Sequence, residues 1–426
     1  MTPTIYKFGG ASIQDAAHMK HVAGIILAAK SPIIVVISAM GKITNALEEV
    51  VDHVIAGHLH TARNLIDEIA QKHLAVVEEL ALNDEKIQPE LSELFGSLKD
   101  KIEKWQHKNA DFIYDQIICN GELASTRIVN SLLNGQKKSQ WIDARRLIAT
   151  DDTYRDAKID WKQTQKNIQD YCDQLFQSCQ IGITQGFIGG HGDHSTSLGR
   201  EGSDFTASIF GYCLDAERIT IWKDVKGILT GDPRIFENVI KLDRLTYREA
   251  IEMTYYGAKV IHPKTIKPLQ NKGIPLYVKS YIHPDRNGTL ISSGMEINYP
   301  PIIVIEKNQC LIHISTKDFS FVAEEHLSEL FRLFHEYRLK INMMRNTAIS
   351  FTVCVTNHEA RLNQLIARLE SSYTAVVDRN LELFSVRHFN EATLSSLLDD
   401  KIVIFEERIG QTAQMVVRSA PTIRLK

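Results

Sequence analysis

Residues Pro32 to Ile37 read Pro-Ile-Ile-Val-Val-Ile, a run with no polar residue to leave one face wet. Unbroken β-branched character of this kind marks a strand buried on both faces, as in parallel sheets covered by helices on either side. The surrounding chain supplies the partners such a strand needs. Ile5 to Phe8 reads as a short strand broken by Gly9-Gly10, with Ser12 as the expected N-cap of a helix through Met19, Val22 and Ile26. A strand before Asp143-Ala144, another over Ile181 to Phe187, a further one over Arg218 to Trp222 and a last over Pro275 to Ser280 alternate with helical stretches. Alternation of this kind implies right-handed crossovers and an open, mostly parallel sheet flanked by helices, an α/β architecture. Leu47 to about Ile117 is a helical excursion, with apolar residues at three and four spacing and Pro89 as its only proline. His53, His58, His60 and His73 lack the HExxH spacing of a metal site and are expected to face solvent.

Several strand ends run into loops of small residues, which is where open parallel sheets place their ligands. Lys7 stands at the carboxyl end of the first strand, beside the glycine turn, and there faces a phosphate unless it is only a polar strand residue at the surface. Ser38, Gly41 and Thr44 offer hydrogen bonds to substrate oxygens, although Ser and Thr in such loops also cap helices. Glu122 falls near a helix N-terminus, where the dipole alone favours a carboxylate. Leu198-Gly199-Arg200-Glu201-Gly202-Ser203-Asp204 feeds a helix that opens at Ser203 and carries Phe205, Ile209 and Tyr212 at helical spacing. The unpaired amides of such a terminus suit a carboxylate or phosphate, and an ordinary Ser-capped surface helix is the plainer alternative. The loop from Lys223 to Arg234 combines glycines, aspartates and basic residues, a composition suited to a nucleotide with metal-bound phosphates.

Charge removes several function classes. Lys+Arg 49 against Asp+Glu 52 gives a net charge of −3 over 426 residues, with no polybasic block, so nucleic acid and anionic membrane are not expected partners. The longest apolar run, Pro32 to Met40, falls far short of the roughly 20 residues of a membrane span, and the N-terminus lacks the pattern of a signal peptide. A cytoplasmic protein is expected. Its six cysteines are scattered without a CxxC pair, which fits buried reduced thiols rather than disulfides or structural zinc, and no residue is assigned to a metal.

Six stretches taken together are specific. Lys7-Phe8-Gly9-Gly10, Ser38-Ala39-Met40-Gly41, Gly121-Glu122-Leu123, Gly199 to Asp204, Asp232-Pro233-Arg234 and Gly257-Ala258-Lys259-Val260-Ile261-His262-Pro263 resemble, in order, the motifs of the aspartokinase branch of the amino acid kinase family. The resemblance implies transfer of the ATP γ-phosphoryl group to the β-carboxylate of L-aspartate, the entry step to lysine, threonine and methionine synthesis, with magnesium bridging the phosphates largely through water. It also implies roles. Lys7 stabilises the transferring phosphoryl oxygens with Gly9 and Gly10, and Asp204 orients the lysine. Arg200 takes the substrate α-carboxylate, Glu122 its ammonium, and Ser38, Thr44 and Ser203 complete the substrate set. Trp222, Lys223, Asp224, Leu229, Arg234 and Lys259 line the ATP pocket. Departures from the family pattern are Ala11 for a usual threonine, Glu201 for a glycine, Lys223 for a threonine and Leu229 for a tyrosine, with Glu201 tolerable beside an anion site only if its side chain points away.

Pro300-Pro301 marks a boundary, giving a catalytic domain over 1–298 and a tail over 299–426. Strands over Cys310 to Ser315, Ile341 to Arg345 and Ser350 to Val355, helices over Glu324 to Tyr337 and Glu359 to Leu369, and shorter pieces from Leu383 to Val417 make an α+β, ferredoxin-like layout of one unit or two. The tail resembles the ACT-type regulatory domains of aspartokinases. That implies an amino acid effector and pairing of sheet edges into a homodimer or higher oligomer. Ser320 to Glu325, where that family commonly has a glycine, has none, which argues against feedback by lysine or threonine. Asn342, Thr347 and Ser350 are candidate effector contacts or plain strand residues. The competing functions are a kinase for another acidic amino acid, such as glutamate or acetylglutamate, and a non-catalytic amino acid sensor. The motif at Gly257 to Pro263 speaks against the first, and Lys7, Arg200 and Asp204 together speak against the second.

Overall fold

A computed structural model of the chain describes residues 2–30, 32–258, 261–294, 296–318 and 320–420. The chain divides into two compact units, one of Met1–Ile228, Lys241–Ile251 and Val260–Ile297, the other of Leu229–Ile240, Glu252–Lys259 and Asn298–Lys426.

The first unit opens with β1 (Thr4–Phe8), a 3-10 turn at Gly10–Ile13, α1 (Ala16–Leu27) and β2 (Ile33–Ile37). Four helices follow, α2 (Ile43–Ile55), α3 (Leu59–Leu80), α4 (Ile87–Trp105) and α5 (Ala110–Ile118), and they make up the helical excursion. Next come α6 (Asn120–Asn134), β3 (Ser139–Ile142), α7 (Ala144–Leu147), α8 (Trp161–Ser178) and β4 (Ile181–Gln185). A hairpin of β5 (Ile188–His191) and β6 (His194–Ser197) leads to α9 (Gly202–Cys213) and β7 (Arg218–Lys223). The chain continues through β8 (Ile228–Leu229), β9 (Lys241–Leu242), β10 (Arg244–Thr246), α10 (Tyr247–Tyr255), α11 (Pro263–Lys272), β11 (Leu276–Ser280) and β12 (Thr289–Ser292), with Leu229 and the end of α10 from Glu252 assigned to the second unit. The sheet order is β10-β12-β11-β7-β1-β2-β4-β3, parallel from β11 to β3. Every residue of β2 is at most 1% exposed, so its continuous apolar run is covered on both faces, as that run requires.

Two local expectations are corrected. The cap of α1 is Asp15, whose carboxylate accepts from the His18 amide at 2.9 Å. Ser12 instead lies in the 3-10 turn and donates to the Gly9 carbonyl at 2.6 Å, so the glycine turn tightens before the helix begins. His73 does not face solvent. It is fully buried against Phe95, with Nδ1 2.7 Å from the Ile69 carbonyl, and burial pushes its pKa down to about 4.

In the second unit, β13 (Ile302–Thr316), α12 (Glu324–Glu336), β14 (Ile341–Asn346), β15 (Ser350–Thr356), α13 (Glu359–Leu369) and β16 (Tyr373–Arg387) are followed by α14 (Glu391–Leu398), β17 (Lys401–Ile409) and β18 (Thr412–Ser419). They build one antiparallel sheet, β14-β15-β13-β16-β18-β17. The part with β14, β15, β13 and β16 packs α12 and α13 over a core around Leu330, Phe334, Val353 and Leu365, in the strand order of a ferredoxin-like fold. β13 and β16 run on past register shifts between Glu306 and Leu311; beyond them the two strands stay paired, β16 pairs with β18 on its other side, and a separate core lies under Leu394 of α14. Asn342 donates to Gln309 at 2.9 Å and Thr356 at 3.1 Å, and the hydroxyls of Thr347 and Ser350 lie 2.6 Å apart, so all three are engaged within the sheet and its turn.

Candidate active site

Parallel strands deliver their carboxyl ends to one edge, and the register aligns them closely. Lys7 of β1 lies opposite Val36 of β2 and Ile221 of β7, so the loops after Phe8, Ile37 and Lys223 leave from the same side. The first two loops touch through Gly10, whose carbonyl accepts from the Gly41 amide at 3.0 Å. A Cβ on Gly10 would stand 2.6 Å from the Ala39 carbonyl oxygen, which only glycine avoids. Helix α9 completes the edge. Its cap is Glu201 in the left-handed conformation (φ 56°), not Ser203, so the helix is capped two residues earlier than the sequence suggests and places Ser203 and Asp204 inside its first turn. Gly186 and Gly202 allow the approach, since a Cβ on the first would meet Ser203 at 2.5 Å and on the second Phe187 at 2.7 Å.

These elements bring Lys7, Ser38, Thr44, Glu122, Arg200, Ser203, Asp204 and Lys223 to one cleft of about 630 Å³. Lys7 Nζ lies 2.7 Å from Asp204 Oδ1, and Lys223 Nζ lies 3.8 Å from Asp204 Oδ2. Burial raises the pKa of Asp204, but the two ammonium groups outweigh it and hold the carboxyl below its ordinary value. Asp204 is therefore an anion fixing two cations at the end of the cleft. Glu122 is in the opposite state. Its Oε1 accepts from the Ala39 amide at 3.2 Å, Oε2 is buried without a hydrogen-bond partner among the described residues, and burial pushes its pKa up to about 8. Such a carboxyl awaits a cation. Arg200 is exposed and makes no ion pair among the described residues.

Asp115, Gln116, Tyr114 and Arg155 belong to no motif in the sequence. Buried Asp115 accepts from the Ser197 hydroxyl at 2.6 Å and amide at 2.8 Å, and Gln116 clasps both backbone groups of Ser195, so α5 holds the hairpin that ends at the Gly199 loop. Tyr114 and Arg155 line the cleft. Arg155 has φ 66°, a left-handed conformation that costs a non-glycine residue about 1 kcal/mol. Nothing in Asp151 to Asp156 beyond a polar, turn-like run announces it.

The nucleotide set is not gathered in the same way. Gly9 forms the turn at Lys7, where an added Cβ would lie 3.6 Å from Nζ. Trp222 alternates with Lys223 along β7 and so faces away from the cleft, stacked on Phe8 at 5.8 Å with its Nε1 buried and unpartnered among the described residues. Asp224 is exposed. Leu229 and Arg234 belong to the second unit, where Arg234 pairs with Asp232 at 2.6 Å. Lys259 lies outside the described residues. Glu201 does not turn clear of the cleft, for it is among the lining residues, half-buried with Oε2 buried and unpartnered among the described residues.

Two cations on one buried carboxylate, with a guanidinium and a carboxyl that have no ion-pair partner among the described residues, suit an anionic, ammonium-bearing ligand and a group transfer needing positioning and charge stabilisation. The sequence profile described as the amino acid kinase family matches residues 2–280. The lysine-sensitive aspartokinase 3 of Escherichia coli strain K12 is 30% identical over 353 residues, 81% of this chain and 76% of its own length. Two crystal structures of E. coli aspartokinase III, one with aspartate and ADP in an R-state and one with lysine and aspartate in a T-state, each superpose with a TM-score of 0.81 at 25% identity, over 98% of this chain and 96% of theirs. The chain thus belongs to the amino acid kinase family and, within it, to the aspartokinases.

Proposed function

We propose that this protein transfers the γ-phosphoryl group of ATP to the β-carboxylate of L-aspartate, giving 4-phospho-L-aspartate, as the first step of lysine, threonine and methionine synthesis. The observation that carries the reading is buried Asp204 holding Lys7 and half-buried Lys223 in one cleft with Glu122 and Arg200, neither of which has an ion-pair partner among the described residues. The attacking group is the substrate carboxylate, so the protein supplies no nucleophile. Lys7, anchored by Asp204, stabilises charge on the transferring oxygens, and the turn amides of Gly9 and Gly10 assist. Arg200 grips the α-carboxylate and Glu122 the ammonium, with Ser38, Thr44 and Ser203 on carboxylate oxygens. Lys223 and Asp224 serve ATP, Leu229, Arg234 and Lys259 are given to ATP by the family motifs alone, and Trp222 acts from beneath the sheet by fixing the strand that carries Lys223.

No cluster of three or more potential metal ligands exists among the described residues, and Asp204 is already committed to lysines. Magnesium, arriving with ATP, would supply charge neutralisation on its phosphates. The antiparallel unit is assigned a regulatory role over residues 299–426, with an amino acid as effector. Edge strand β17 exposes Ile402, Val403, Ile404 and Ile409, which supports edge pairing into a homodimer, and light scattering at the monomer mass would overturn that part. All six cysteines are free and buried, which supports a reducing compartment such as the cytoplasm, and among the described residues no helix is long and apolar enough to cross a membrane.

The test is ADP release with ATP and magnesium, offering L-aspartate or L-glutamate separately and trapping the acyl phosphate with hydroxylamine. Aspartate-dependent turnover is expected. Turnover with glutamate alone would assign the cleft to another acidic amino acid, and silence with both would favour an amino acid sensor.

A further inference from the structure

We infer that Arg155 is a second guanidinium of the acceptor site, closing on the α-carboxylate of the acidic amino acid together with Arg200; this rests on the cleft's being the amino acid site. The first support is strain. An arginine with φ 66° is held where glycine is at ease, and such outliers persist when the surrounding structure over-determines them, often for a ligand's sake.

The second support is shared anchoring. The Arg155 amide donates to both oxygens of buried Asp115, at 3.2 and 3.1 Å. The same carboxylate accepts from the Ser197 amide at 2.8 Å and hydroxyl at 2.6 Å, just ahead of Arg200. One buried anion thereby sets two arginine-bearing segments in register. Gly199 lets them close, because a Cβ there would meet Asp156 Oδ1 at 2.5 Å and the Arg155 carbonyl oxygen at 3.4 Å.

The third support is the side chain itself. Its guanidinium lies over the Tyr114 ring at 4.1 Å from the centroid, and Nε pairs with Asp111 Oδ1 at 2.9 Å. Those contacts occupy a face and one nitrogen of the fork, while neither Nη atom has a hydrogen-bond partner among the described residues. A planar donor edge held by stacking and still unused matches a carboxylate.

Two acceptors test this in the intact enzyme: L-aspartate and its α-amide, which keeps the β-carboxylate but lacks the α-carboxylate. In Arg155→Ala the aspartate KM is expected to rise about tenfold or more with kcat within about threefold, and the preference for aspartate over the amide to shrink by a similar factor. Arg155→Lys should recover part of both. Arg155→Gln, which keeps length and polarity without charge, should behave as the alanine variant and stands in if that one does not fold. Unchanged constants, or a loss that falls equally on aspartate and amide, would show a packing role and overturn the proposal. A wild-type enzyme without aspartate-dependent turnover would remove the underlying reading and this one with it.

Discussion

Glu122 holds one carboxyl oxygen on the Ala39 amide and leaves the other unpartnered among the described residues, while burial pushes its pKa up to about 8. Near neutral pH the free enzyme therefore carries this carboxyl protonated, and an incoming ammonium must expel the proton to pair with it. Calorimetric titration of aspartate in buffers of different ionisation enthalpy should show release of close to one proton at about pH 7, and affinity should rise with pH up to about 8. The pKa is raised on folding, so the ligand-free protein loses stability as pH climbs from 4.5 through about 8, and aspartate should restore it. Absence of buffer dependence, or its persistence in Glu122→Gln, would contradict the assignment. Lys7 makes a separate prediction. Lys7→Ala should lower kcat by at least about a hundredfold with little change in the aspartate KM, and an equal loss in binding would place the lysine on aspartate instead. Residue types beside a glycine turn or a helix start make Lys7, Glu122, Arg200 and Asp204 legible in the sequence. The Glu201 cap was hidden because a left-handed residue leaves no mark when it is not glycine. Arg155 was hidden for the same reason, and Asp115 because its partners lie some 40 and 82 residues away.

Elements read from periodicity stand where side-chain burial enforces the period. The fully buried β2 and the amphipathic α13, which spans Glu359–Leu369 as expected, are examples. Expectation failed where the chain serves two cores. The sequence suggests only short pieces from Leu383 onward, yet β16 runs from Tyr373 to Arg387, because its first half exposes Val376 and mixes charged residues into a strand fixed by pairing with β13. His73 shows the same limit within a helix: it falls on the buried stripe of α3 beside Ile69 and Val76. The His73 pKa is depressed on folding from 6.5 to about 4, so its contribution to stability is full above 6.5 and drains away as pH falls through about 4, by about 3 kcal/mol. Replacing it with leucine should therefore narrow the gap between melting temperatures at about pH 7 and about pH 4. An unchanged gap would mean that other groups govern acid unfolding of the α3–α4 pair.

At the scale of the molecule, an α/β unit with its loops gathered at the carboxyl edge and an α+β, ferredoxin-like tail were both foreseeable from the order of strands and helices, which leaves open whether the tail has one core or two. The sharing of β13 and β16 between those two cores was not, since it depends on register shifts that no local pattern signals. The central claim is that the first unit directs a phosphoryl group onto one particular carboxylate. In the proposed reaction Arg200 and Glu122 hold the α-groups, with Lys7 and Asp204, which pair in the same cleft, at the point where the β-carboxylate would meet ATP. The most direct measurement is phosphorus NMR of the product made from ATP and aspartate isotopically labelled at the β-carboxyl carbon. A phosphorus signal split by that carbon is the predicted result. An acyl phosphate without the splitting would put the phosphoryl group on the α-carboxylate and contradict the account.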